Sequence, residues 1–190
     1  MYMETINDTE ENMLNTAEDY YNLPDNVRAE LIKGKFYNMA APTRKHQHIL
    51  GMIYNKIFNH IESQNGDCKV YPAPFSVQLN EKSVVEPDIT VICDKDKLTE
   101  RGCTGGPDWI IEIVSPSNSA NDYMRKSGLY YDAGVRDYWI VDPIIEKVIV
   151  YDMTDKITNI AIYTFNDTVR SNIYDDLYID FSSVLDSYEE

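Results

Sequence analysis

The chain has 190 residues, 43% of them hydrophobic, which suits one domain with a sizeable core, and its 32 acidic against 17 basic residues give a formal charge of -15. That balance excludes a protein that coats nucleic acid through a broad basic surface, although a local basic site on an acidic molecule survives it. The three cysteines at 68, 93 and 103 lack C-x-x-C spacing and predict neither a disulfide framework nor a zinc ribbon, and no segment resembles a signal peptide or a membrane span, so the expectation is a soluble protein of a reducing cytoplasm.

Residues 1–15 include Glu4, Asp8, Glu10 and Glu11 and no basic side chain, and read as an acidic, mobile lead-in to a single domain over 16–190. Thr16 caps a short helix through Tyr21, ended by Pro24. Residues 29–41 read as a hairpin that turns at Gly34 and brings Glu30 into a sheet. The three- and four-residue spacing of Ile49, Met52, Ile53, Ile57 and Ile61 predicts an amphipathic helix over 43–63, broken at Asn65-Gly66. Residues 69–79 then read as one long strand, at an edge or bulged because of Pro72 and Pro74. Residues 84–92 form the next strand, and Pro87 removes a ladder donor just where Asp88 appears.

Residues 94–106 read as a surface loop. Trp109 to Val114 is an apolar strand except for Glu112, and an ionised glutamate buried there costs several kcal/mol unless it is paired or binds a metal. A helix over 118–133, stopped by Gly134, leads back into a strand at 138–141, and residues 148–153 and 160–165 read as antiparallel strands closing one edge. The remainder reads as an acidic, Tyr-rich tail. The expected class is α/β (α+β): a mixed central sheet in which 84–92, 109–114 and 138–141 are neighbours, flanked by the two long helices.

Glu30, Asp88 and Glu112, each in or beside an apolar strand, together with Lys126 on the following helix, are the parts of a hard-cation phosphodiesterase site. Eight helical residues carry Lys126 about 12 Å back along its strand, while Glu112 lies roughly 7 Å from the strand end, a mismatch that a lysine side chain spans. Each residue also has a structural reading. Asp122 and Lys126 have the spacing of a helix ion pair, Asp88 can cap a turn, Glu30 can pair with Lys33 or Lys35, and Glu112 can pair with Lys126. His46, His48 and His60 lack the completing ligands of a zinc site and read as surface or packing residues.

The runs Glu30-Leu31-Ile32-x-Gly34, His46-x-His48, Pro72-Ala73-Pro74-Phe75, Val85-x-Pro87-Asp88, Pro107-Asp108 with Glu112-Ile113-x-Ser115-Pro116-Ser117, and Gly134-Val135-x-x-Tyr138-Trp139-Ile140-Val141-Asp142-Pro143 occur in unbroken order. In that order they closely resemble the Uma-type restriction endonuclease family of the PD-(D/E)XK, restriction-endonuclease-like superfamily. The resemblance implies that fold and a magnesium-dependent DNA endonuclease, with manganese as a substitute. Asp88 and Glu112 match the motif acids and metal ligands, and Glu30 matches the additional acidic position. Val114 stands where the simplest motif has lysine; Lys126 matches the position of family members whose lysine has moved to the next helix. DNA is the expected partner, and a homodimer is expected, with Tyr174, Tyr178, Phe181 and Tyr188 offering contact surface. The alternative is a non-catalytic binding or regulatory protein on the same scaffold.

Overall fold

The computed structural model describes residues 14–115, 120–155 and 158–189. Residues 1–13 of the expected 1–15 lead-in lie outside them, and so does the side chain of Asp122. The domain is already engaged at Asn15, whose backbone and side-chain nitrogens both donate to Gly34 O at 3.0 Å. Helix α1 (Ala17–Tyr21) starts at a capping box between Thr16 and Asp19. Strands β1 (Ala29–Ile32) and β2 (Lys35–Asn38) form the expected hairpin, turning through Lys33 and Gly34, both with positive φ. Helix α2 (Arg44–Ser63), capped by Thr43, buries its Ile49, Ile53, Ile57 and Ile61 face.

The two long strands expected at 69–79 and 84–92 are each two strands. β3 (Lys69–Pro72) and β4 (Val77–Asn80) are separated at Ala73-Pro74, a cis bond, and β5 (Ser83–Val85) and β6 (Ile89–Ile92) at Pro87. Prolines cannot donate to a ladder, so pairing lapses at both places and the chain crosses from one sheet to another. β7 (Leu98–Thr99) and β8 (Gly102–Thr104) form a small hairpin inside the expected 94–106 loop, and β8 pairs in parallel with β4. They complete a first sheet in the order β2-β1-β5-β4-β8-β7.

The second sheet contains β9 (Trp109–Ile113), β10 (Asp137–Asp142), β11 (Lys147–Asp152) and β12 (Asn159–Thr164), in the order β12-β11-β10-β9-β6-β3. Thus the Ile89–Ile92 part of the expected strand neighbours β9, and β9 neighbours β10, as anticipated. Period-two alternation sorts this sheet's faces. Trp109, Ile111 and Ile113 join the core beneath α2, whereas Ile110 and Val114 join the core with Tyr123, Leu129 and Tyr130 of helix α3 (Ala120–Asp132).

The expected tail is ordered structure: β13 (Thr168–Arg170) pairs with β14 (Tyr178–Asp180), and helix α4 (Phe181–Glu189) follows. Phe181 is fully buried against Trp139 and Phe165 and so offers no contact surface, whereas Tyr174 packs partly exposed on the same core, Tyr188 holds Arg44 and Tyr178 stays exposed. Buried Asp137 fixes this segment by accepting from the Asn172 backbone and side chain, each at 2.9 Å.

Cys68 and Cys93 form a disulfide, against expectation. They lie one step beyond the β3–β6 pair Lys69↔Ile92, so tertiary pairing unites cysteines whose spacing of 25 carries no signal. No helix among the described residues is long and apolar enough to cross a membrane.

Candidate active site

The crossing points between the sheets open onto a cavity of ≈ 290 Å³ lined by Glu30, Asp88, Glu112 and Lys126, all four acidic and basic residues singled out from the sequence. Register explains their meeting. β6 and β9 are antiparallel with Ile89 opposite Ile111, so one step further Asp88 falls opposite Glu112. Because Ile89, Ile111 and Ile113 face α2, the alternating positions 88 and 112 face α3. Asp88 is then clamped to β9, its Oδ2 accepting from the Ile113 backbone N–H at 2.7 Å.

Lys126 reaches this cluster from α3. Its Nζ lies 2.8 Å from Glu30 Oε1 and 2.9 Å from Glu112 Oε1, with all three side chains under 10% exposed. The Tyr130 hydroxyl, one turn on, donates to the same Glu112 oxygen at 2.7 Å, and the Glu86 backbone N–H donates to Glu30 Oε1 at 3.0 Å. Glu30 therefore pairs with Lys126 and not with Lys33 or Lys35. Tyr123, on the other side of Lys126, donates to Ile113 O at 3.4 Å.

Burial pulls the Lys126 ammonium down, but the adjoining Glu112 and Glu30 carboxylates outweigh it and hold the group above the ordinary lysine range. Burial pushes the Glu112 carboxyl up to about 7; Lys126 opposes the rise, while Glu30 and Asp88 add to it. Three acids around one ammonium leave an excess of negative charge. Glu86 adds a fourth carboxylate to the lining, held by Arg28 at 3.1 Å and by the Tyr20 hydroxyl at 2.9 Å.

His46 corrects the sequence reading. It is buried, lines the cavity, and its Nε2 lies 3.1 Å from Asp88 Oδ1, while its buried Nδ1 has no partner among the described residues. The signal was present in the helix periodicity, since 46, 49, 50, 53 and 57 share one buried face. His60 instead meets Asp176 at 3.4 Å on the surface. Among the described residues no three His, Cys, Asp or Glu side chains converge as a metal-binding group, and Lys126 stands between Glu30 and Glu112. The donor chemistry nevertheless fits magnesium, which takes oxygen ligands and uses one or two carboxylates with several waters in place of an all-protein cage. The described hydrogen bonds of Glu30 and Glu112 fall on Oε1, leaving the second oxygen of each for such an ion.

The Uma2 family model, described as "Putative restriction endonuclease", matches residues 17–181. The chain belongs to the Uma2 family. An uncharacterized protein of Synechocystis sp. is 27% identical over 145 residues, covering 74% of this chain and 75% of its own length. The crystal structure of a protein described as a "putative nuclease belonging to DUF820", from Anabaena variabilis ATCC 29413, superposes with a TM-score of 0.75 at 20% identity, covering 90% of this Uma2 chain and 97% of the other. At that identity the likeness establishes the fold, which is restriction-endonuclease-like.

Proposed function

We propose that this Uma2 protein is a metal-dependent DNA endonuclease that hydrolyses phosphodiester bonds, with its motif lysine supplied by α3. The observation that carries the reading is Lys126 Nζ seated between Glu30 and Glu112, in the cavity that Asp88 also lines. Asp88 and Glu112 would hold a magnesium or manganese ion, with Glu30 assisting directly or through water. Such an ion, when bound, supplies Lewis-acid polarisation of the phosphate and offsets the crowded negative charge.

The chain's own groups do the rest. Glu30 and Glu112 keep Lys126 charged, and its ammonium offsets the charge that grows on the phosphate oxygens. Tyr130 and Lys126 fix the Glu112 carboxylate through Oε1, which orients its other oxygen. Asp88 is fixed at both oxygens, Oδ2 by the Ile113 N–H and Oδ1 by the nearby His46 Nε2. The Glu30, Glu112 and Lys126 side chains are under 10% exposed, so their charges act in a lower dielectric than bulk water.

One observation favours a non-catalytic binding protein instead: among the described residues, four carboxylates in the lining outnumber Arg28 and Lys126. Incubation with single-stranded and supercoiled plasmid DNA in magnesium or manganese, beside Asp88→Ala, separates the readings. The nuclease cleaves at least one substrate and the variant loses that cleavage by about 10² or more; intact substrates with every metal would sink the enzyme reading.

A further inference from the structure

The β1–β2 hairpin sets an aromatic ring beside the acidic cluster. Glu30 is paired directly with Tyr37, so the two side chains stand on one face of the hairpin, and Ile32, two residues on, shares it. The ladder continues through the Met39 N–H to Arg28 O at 2.9 Å, which brings Arg28 to the same wall. Tyr37 lines the cavity yet stays 38% exposed, whereas Glu30, Glu112 and Lys126 are 7% exposed or less. Met39, Pro42 and Pro74 continue this wall. The cavity thus has a charged, recessed floor and an apolar side with an accessible ring.

Charge argues against an intact duplex as the occupant. A duplex carries one phosphate charge per about 1.7 Å and is held by many cations. Among the described residues the Arg or Lys side chains of the lining are Arg28 and Lys126, and carboxylates of the protein already engage both. A single strand carries sparser charge, and an unpaired base adds affinity by stacking on an aromatic ring. A phosphate also reaches a floor this recessed more readily from a flexible strand than from a stiff helix.

We propose that the cavity accepts an unpaired nucleotide, its base stacked on Tyr37 and its phosphate directed to the Glu30, Glu112 and Lys126 floor, so that the substrate is single-stranded or frayed DNA. The phosphate's destination rests on the nuclease reading, but stacking on Tyr37 is measurable by binding without cleavage. Fluorescence anisotropy in calcium, with a labelled thymidine oligonucleotide, a blunt duplex of the same length and a forked duplex, tests it. The single strand and the fork should bind about tenfold tighter than the blunt duplex. Tyr37→Ala should weaken single-strand binding about tenfold at an unchanged thermal midpoint, and Tyr37→Phe should restore it. Equal or tighter duplex binding, no measurable binding of any probe, or an indifferent Tyr37→Ala would each overturn the proposal. Tyr37-dependent single-strand binding with no cleavage in magnesium would instead retain this proposal and refute the nuclease.

Discussion

Lys126 Nζ stands 2.9 Å from Glu112 Oε1, the two residues coming from a helix and from the strand before it, with both side chains buried. Lysine two residues after Glu112 is absent, and Val114 occupies that place in the apolar core. The ammonium nevertheless arrives where a lysine from β9 would have faced, because α3 packs back over the strand that precedes it.

Loss of that ammonium should cost both chemistry and stability. Lys126→Met should reduce, by about 10² or more, cleavage of the DNA substrate that the wild type cuts. It also leaves Glu30 and Glu112 buried without their cation, a loss of about 3–5 kcal/mol in the ionised state. Their carboxyl groups can neutralise by taking up protons, so the deficit relative to wild type should shrink as pH falls. Urea midpoints of the two proteins at pH 5 and pH 8 check this, and the double variant Lys126→Met/Glu112→Gln should recover stability without recovering cleavage.

His46 is expected to act through Asp88. Its Nε2 lies 3.1 Å from Oδ1 while the Ile113 N–H holds Oδ2, so His46→Ala removes one side of the clamp. Manganese affinity, measured by electron paramagnetic resonance, should fall about 10- to 100-fold, and His46→Gln should restore part of it. A drop in thermal midpoint with unchanged manganese affinity would show that His46 serves packing alone.

Asp137 makes stability depend on pH away from the cavity. Burial raises its carboxyl from the ordinary 3.8 to about 6, against hydrogen bonds from Asn172 and Trp139. The folded state therefore favours the protonated acid. This contribution is full below pH 3.8, declines as pH rises, and is gone above about 6, a span worth about 3 kcal/mol. The wild-type unfolding free energy minus that of Asp137→Asn should fall by this order between those limits; a flat difference would refute the shift.

Phe181 tests whether the C-terminal segment belongs to the core. Its ring is fully buried against Trp139 and Phe165, so Phe181→Ala should lower the unfolding free energy by about 3–5 kcal/mol. Denaturation that matched wild type would return this segment to the status of a tail.

Helix periodicity, apolar strands and turn residues are local properties, and they placed α2, α3, the β1–β2 hairpin and the β9 to β12 strands from sequence. The cost of burying a charge singled out Glu112 by the same local logic, and the ordered motifs pointed to Asp88, Glu30, Lys126 and the Uma2 family. Non-local pairing decided what remained. From sequence, prolines 74 and 87 read as irregularities within long strands, and only the partners of β4 and β5 made them crossings between sheets. His46 became part of the cavity because α2 lies against the start of β6, and Cys68 met Cys93 because β3 and β6 share a register. A side chain's chemical type is written in the sequence, but whether it faces water, a partner or a cavity depends on residues far along the chain, which only the folded structure brings alongside it.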